Sequence, residues 1–563
     1  MVHISNMVIY HIFGLEPWGF HLVSILLHAG VSVVVFLLLS RLYREYRPST
    51  PFSYLPAFIA ALLFATDPIH TEAVTWISAL TEVAFTFFCL LSFYLYLRSK
   101  GGFDGDYLLS VVSFLFAAFF KETALALPMI IVVYDYVFRK KENHLRDYLK
   151  MYIPYIAVVA VYLILRFHAI GAFSPLKRHM ELSTYQYMIN VFPLFAQYLG
   201  KLVLPLNLNA FHVLHPIASL PEPKGILSLI IIVAFVAFAI IVSKKNKLAF
   251  FSLFFVVIPL LPVLYIPGLG ENTFAERYLY LPSFGFVMLL GLLISRVRGN
   301  SAGRADGVIL LSIVLIGLYS AGTFYRNTVW KDDYTLFSDT VKKAPDSASV
   351  RYSLGTTLLY KGNVDEAIEN FRTAEKLAPN DALAYYNLGV AYYSKGLKEE
   401  SIEQLQAAVK MKPDFAKAHY NLGIAYSSEG RTDEAIEQFK TAVKLRPDYV
   451  KAYDNLGKAY YSKGLTEEAI KQLETAVKLR PDSANICYNL GVAYNSAGLT
   501  DEAIEQFETV VKLNPNFAEA HYDLATLYKK RGLEDEAMKE FRTAIRIKPN
   551  LVRTRQAHEP AAK

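Results

Sequence analysis

The sequence predicts an all-α protein in two parts: a multi-span helical membrane bundle followed by a helical-repeat solenoid. Two observations carry this. Hydrophobic residues make up 54% of the 563, with mean hydropathy +0.28, above the roughly 45–50% of soluble domains. They crowd into long runs up to residue 326, after which charges recur every few residues. From Pro345 onward, Pro and Gly then recur at a fixed spacing.

A span needs about 20 apolar residues to cross the hydrocarbon core. About ten runs are candidates: 19–41, 52–66, 73–97, 107–120, 122–138, 150–167, 225–243, 248–267, 279–297 and 307–326. Residues 186–206 read as interfacial or re-entrant, and residues 1–18 as a loop piece or interfacial helix. Alternate loops are basic: Arg41, Arg44 and Arg47; Arg98 and Lys100; Arg139 to Lys141 and Arg146; Lys244, Lys245 and Lys247; Arg296, Arg298 and Arg304. Lys/Arg-rich loops stay cytoplasmic. The loop at 67–72, the turn Lys121–Glu122, residues 168–224 and 268–278 and everything after Arg326 are therefore expected outside. The domains expected are a membrane domain over 1–326, a linker over 327–347, repeats over 348–551 and a tail over 552–563. A net charge of +7 gives little support to nucleic-acid binding, and Cys89 and Cys487, lying in different parts, predict no disulfide.

Pro345, Pro379, Pro413, Pro447, Pro481, Pro515 and Pro549 are evenly spaced, as are Gly355, Gly389, Gly423, Gly457 and Gly491, and Gly362 through Gly532. A period of about 34 residues with this pattern is the tetratricopeptide α-solenoid, two antiparallel helices per unit. The first glycine allows close helix approach, the second ends the first helix and the proline stops the second. Asn387, Asn421, Asn455 and Asn489 occupy one position in four consecutive repeats. An amide donates and accepts, so such a column can hold a peptide backbone; it can equally bond within the array.

Four clusters on the expected outer side carry ionisable groups beside apolar runs: Asp67, His70 and Glu72 with Glu82; Lys121 and Glu122; His212 and His215; Glu276 and Arg277. Charges at membrane depth usually mark a functional path, and these four are expected to converge. Lys121–Glu122 can also be a structural ion pair and His70 an interfacial histidine. No metal or other cofactor is required by the sequence, although a divalent metal is compatible with it.

The stretches "HLVSILLHA", "DPIHTEAVTWIS", "KETALALP", "AERYLYLPSFGF" and "RNTVWKDDYTLF", followed directly by the repeats, resemble the transmembrane and tetratricopeptide-repeat O-mannosyltransferase family. The resemblance implies a type C glycosyltransferase fold. It also implies transfer of a sugar, mannose foremost, from a polyprenyl-phosphate donor to Ser or Thr of a protein on the extracytoplasmic face, with the acceptor held by the repeats. Members begin with one more span and an acidic outer loop; the chain is expected to start after it and to be inactive if that loop is essential. Asp67 stands where His is common in the family, and Glu82 where Asp is.

The expected roles follow. Arg277, Lys121 and His70 contact the donor phosphate, with Glu122 and Glu276 in support; Asp67, Glu72 and Glu82 are the candidate catalytic carboxylates; and the four asparagines bind peptide. The compact loops favour a bacterial inner membrane, with the repeats periplasmic. The alternative is a non-catalytic membrane-anchored scaffold whose repeats recruit other proteins.

Overall fold

The computed structural model describes residues 2–46, 54–99, 102–138, 145–170, 182–213, 215–264, 272–298 and 302–551. It divides into two compact units, Met1–Val350 and Arg351–Lys563. The expected tail and the basic residues Arg47, Lys100 and Arg139 to Lys141 lie outside the described residues.

In the first unit, six helices among the described residues are long and apolar enough to cross a membrane: Pro17–Tyr46, Ile77–Arg98, Leu149–Ala169, Pro223–Lys245, Lys247–Leu264 and Gly307–Val329. Tyr54–Thr66 and Pro68–Thr75 make a seventh if taken as one span bent by 45°. The expectation of about ten spans counts shorter runs as well. The runs at 107–120 and 279–297 form the shorter apolar helices Gly105–Phe120 and Pro282–Ser295, and the run at 122–138 gives only Leu127–Phe138.

The reason lies at the charged residues. Asp67 adopts an extended conformation and its side chain accepts from the Ile69 N–H at 3.1 Å, starting a 3-10 turn at Pro68. Lys121 is likewise extended (φ −157°, ψ 139°) and a 3-10 turn, Glu122–Ala126, follows. Helices therefore break where the ionisable groups sit, and the freed backbone groups are satisfied inside the protein.

Buried polar side chains fasten the bundle. The Tyr96 and Tyr152 hydroxyls donate to the buried Asp135 carboxylate at 2.5 and 2.7 Å, and Asn190 bonds the Ile217 backbone in both directions, at 2.9 and 3.0 Å. Residues 327–347, expected as a linker, instead include the helix Asp333–Lys343. Its start is fixed by a capping box: Asp332 accepts from the Thr335 N–H at 2.8 Å and Thr335 Oγ1 from the Asp332 N–H at 3.2 Å.

The repeats are six helix pairs, from Ala348–Tyr360 with Val364–Leu377 to Ala518–Lys530 with Glu534–Ile547. The first helix of each pair gives way to a glycine with φ between 72° and 83°, Gly362 through Gly532. At Gly423 an added Cβ would sit 2.6 Å from the Phe439 ring of the paired helix, so only glycine lets the two approach this closely. A Gly430→Ala substitution, in the left-handed region, is expected to cost about 1–2 kcal/mol. It would be read as faster amide exchange across Ala416–Ser428 and Thr432–Leu445; unchanged exchange would show that the turn tolerates a side chain.

Candidate functional site

The site is built around one short segment. Residues Asn272–Phe274 pair antiparallel with His212–Val213, and the chain then tightens into the 3-10 turn Glu276–Leu279. This delivers Glu276, Arg277 and Tyr278 to the bent pair of helices carrying Glu72. Glu72 is buried: one carboxylate oxygen accepts from the Arg277 backbone N–H at 3.0 Å and the other forms an ion pair with its guanidinium.

The Arg277 guanidinium carbon lies 5.0 Å from the ring centres of both Trp76 and Tyr278. The Tyr278 ring also receives Lys121, whose ammonium is 4.4 Å from its centre and forms an ion pair with Glu82. Burial pushes Arg277 down, but the carboxylates of Glu72 and Glu82 outweigh it and hold its pKa above the ordinary arginine value.

Exposure orders these charges. The side chains of Glu72 and Glu82 are 1% and 3% exposed, whereas those of Arg277 and Lys121 are 18% and 16%, and Trp76 beside them is 42% exposed. The two cations thus keep more exposure than the carboxylates they pair with. Guanidinium and ammonium groups so placed suit phosphate oxygens.

A second ionic group lies on the other side of the same turn. The buried Glu276 carboxylate accepts from the Asn209 N–H at 2.6 Å, meets His212 Nε2 at 3.2 Å and faces Arg326 at 4.0 Å. Arg326 pairs with Asp339 at 3.1 Å, and Lys343 joins Asp339 at 2.6 Å. The rings of Trp76 and Trp330, 6.4 Å apart, connect the groups, with Arg277 over one and Arg326 over the other.

The structure therefore brings together Glu72, Glu82, Lys121, Glu276, Arg277 and His212. It does not bring in the rest. His70 is buried in an aromatic cage of His28, Phe64 and Tyr280, with Nε2 at 2.8 Å from Ser283 Oγ. That placement sets its ring apart from the Arg277 and Lys121 cations. Asp67, expected as a catalytic carboxylate, is buried and serves as a helix cap. Glu122 turns away to Arg166 at 3.4 Å, and the exposed His215 pairs with Asp346 at 3.3 Å. Among the described residues no group of three or more His, Cys, Asp or Glu is set to hold a metal ion.

Sequence reasoning missed Arg326, Asp339 and Lys343. The signal was present: Asp339 and Lys343 stand one helical turn apart, a spacing that supports ion pairs, in the stretch that follows the last apolar run.

In the repeats, the half-buried asparagine column is tied into the array. Asn421 donates to the Tyr386 hydroxyl at 2.9 Å, Asn455 to Tyr420 at 3.1 Å and Asn489 to Asp454 at 2.7 Å. The series continues with Tyr488 donating to Asp523 at 2.8 Å. Each of the three asparagine bonds joins neighbouring repeats and uses one amide hydrogen, so the side-chain carbonyl of each asparagine is not consumed by it. Asn387 holds the equivalent position one repeat earlier and is also half-buried.

A helical membrane unit with buried ion pairs where its apolar helices break, attached to a tetratricopeptide solenoid, defines the class. Family models described as "Tetratricopeptide repeat" match residues 352–414, 405–437 and 518–551, and one described as "TPR repeat" matches 425–464, 457–498 and 493–532. The chain is similar, more particularly, to the transmembrane and tetratricopeptide-repeat protein O-mannosyl-transferases. It is 27% identical over 362 residues to Protein O-mannosyl-transferase F38B6.6 of Caenorhabditis elegans, covering 64% of this chain and 50% of that one. With Protein O-mannosyl-transferase TMTC3 of Homo sapiens identity is 26%, covering 64% and 42%.

A match over 64% of the chain is longer than the repeat unit Arg351–Lys563 can supply, so it reaches into the membrane unit. The chain spans about half the length of these relatives. Among solved structures, the crystal structure of MamA is 30% identical, covering 30% of this chain and 97% of that one, with a TM-score of 0.28. That of YrrB, "a TPR protein with an unusual peptide-binding site", is 23% identical, covering 34% and 98%, with a TM-score of 0.31.

Proposed function

We propose that the protein is a membrane glycosyltransferase that moves a sugar, mannose foremost, from a polyprenyl-phosphate donor to Ser or Thr of a protein acceptor. The reaction occurs on the extracytoplasmic face, and the repeats capture the acceptor. The basic loops of the sequence support that orientation, with a bacterial inner membrane as the setting. The observation that carries the reading is the pair Arg277 and Lys121, standing over buried Glu72 and Glu82 beside the exposed Trp76.

In this reading the donor phosphate takes over the Arg277 guanidinium, and the carboxylate of Glu72 is released from it. The acceptor hydroxyl oxygen attacks the anomeric carbon, inverting it, while the bond from that carbon to the phosphate oxygen breaks. The electron pair leaves with the lipid phosphate, which Arg277 and Lys121 stabilise, and the hydroxyl proton passes to Glu72. Glu82 positions Lys121. The side-chain carbonyls of Asn387, Asn421, Asn455 and Asn489 accept from the acceptor's backbone.

Membranes carrying the chain, given mannosyl polyprenyl phosphate and a Ser/Thr-rich peptide, are expected to form an O-linked mannosyl peptide. Capture of acceptor proteins without any transfer would replace this reading with the scaffold.

A further inference from the structure

The helix Pro223–Lys245 leaves an apolar stripe unfilled. Ile231, Phe235, Phe238, Val242 and Lys245 recur at spacings of three and four, which places them on one face. That face looks into a groove of about 580 Å³ whose other walls are the helices Thr184–Val203, Lys247–Val257 and Pro282–Arg298. Such a volume lies in the range of small-molecule sites. The lining is apolar along its length, and only at one end do Lys245 and Asn246 close it.

That end is strongly basic. Lys244, Lys245 and Lys247 are all exposed, and among the described residues no carboxylate pairs with them. The sequence has no acidic residue from Pro223 to Gly270. Asn246 fixes the turn between them, its side chain accepting from the Leu248 and Ala249 N–H groups at 3.0 Å each. The basic end belongs to a loop opposite in expected orientation to the Arg277 cluster, and neither Arg277 nor Lys121 lines the groove.

We infer that this groove is a binding site for an anionic glycerophospholipid, with an acyl chain along the Ile231–Val242 stripe and the headgroup phosphate on Lys244, Lys245 and Lys247. The charge of the mouth selects the lipid: lysines at a membrane surface attract anionic headgroups and not zwitterionic ones. The hydrocarbon fills what would otherwise be a cleft between the helices. The groove and the donor site are separate, so this inference stands whether or not sugar transfer occurs.

The test uses the full chain with Phe238→Trp in vesicles, reading fluorescence quenching by acyl-brominated lipid against the unaltered protein, whose own tryptophans give the background. Brominated phosphatidylglycerol in phosphatidylcholine is expected to bind about tenfold more tightly than brominated phosphatidylcholine in phosphatidylglycerol. The triple change K244Q, K245Q and K247Q is expected to abolish that preference. Equal quenching by the two lipids would overturn the site, leaving ordinary bilayer contact. Displacement of the brominated lipid by a stoichiometric amount of polyprenyl phosphate would also overturn it, assigning the groove to the donor's chain. Should Phe238→Trp fold poorly, lipid extracted with the otherwise unaltered protein gives the same readout: anionic phospholipid retained through purification, and lost from the triple variant.

Discussion

Replacing Arg277 by alanine is expected to lower sugar transfer by about 10²–10³-fold, the loss that follows removal of one strong stabiliser of a developing anion. Lysine at this position is expected to restore little. The guanidinium meets Glu72 through its side chain while the Arg277 backbone N–H holds the second oxygen of that carboxylate, and a point charge cannot reproduce the planar fork. Glu72→Gln separates two roles for the carboxylate. If Glu72 accepts the acceptor's proton, kcat falls with the donor KM nearly unchanged. If it only orients Arg277, the donor KM rises with it. Initial rates with mannosyl polyprenyl phosphate and a peptide acceptor decide between these. Wild-type rates in Arg277→Ala would remove the phosphate assignment altogether.

Breaking the Glu82–Lys121 pair from one side is expected to destabilise the membrane unit by about 3–5 kcal/mol, because a charge would be left uncompensated away from water. Glu82 is 3% exposed and Lys121 is 16% exposed, and Lys121 also rests on the Phe85 and Tyr278 rings. The double change Glu82→Leu with Lys121→Met is expected to recover most of that stability while abolishing transfer. Unfolding in detergent, followed for the two single variants and the double variant, measures the coupling. If the single changes are neutral, the pair is not structural. If the double variant retains full activity, Lys121 does not act on the donor.

The repeat unit was legible almost to the residue. Its information is local: glycine permits the left-handed turn at Gly362 through Gly532, Gly423 admits Phe439, and each proline follows the end of a second helix. Each repeat meets mainly its neighbours, so period alone sets the architecture. The apolar runs were legible as runs, but their number as spans was not. The breaks at Asp67–Pro68 and Lys121–Glu122 depend on the surrounding protein to satisfy backbone groups that a helix would have satisfied internally.

For the site, composition and placement were enough to nominate Glu72, Glu82, Lys121, Glu276 and Arg277, since ionisable groups beside apolar runs are costly and so conspicuous. They could not assign partners. Glu72 and Arg277 are 205 residues apart and Glu82 and Lys121 are 39 apart, distances at which sequence carries no pairing rule. His70 looked like a member of the same cluster because it lies two residues before Glu72. Yet the tight turn sends its ring toward His28, Phe64 and Tyr280. The sequence by itself determined which ionisable residues stand beside apolar runs and how the solenoid repeats, because both follow from local chemistry. Only the tertiary structure decided which charges neutralise one another and which keep some exposure, because that depends on how the broken helices pack.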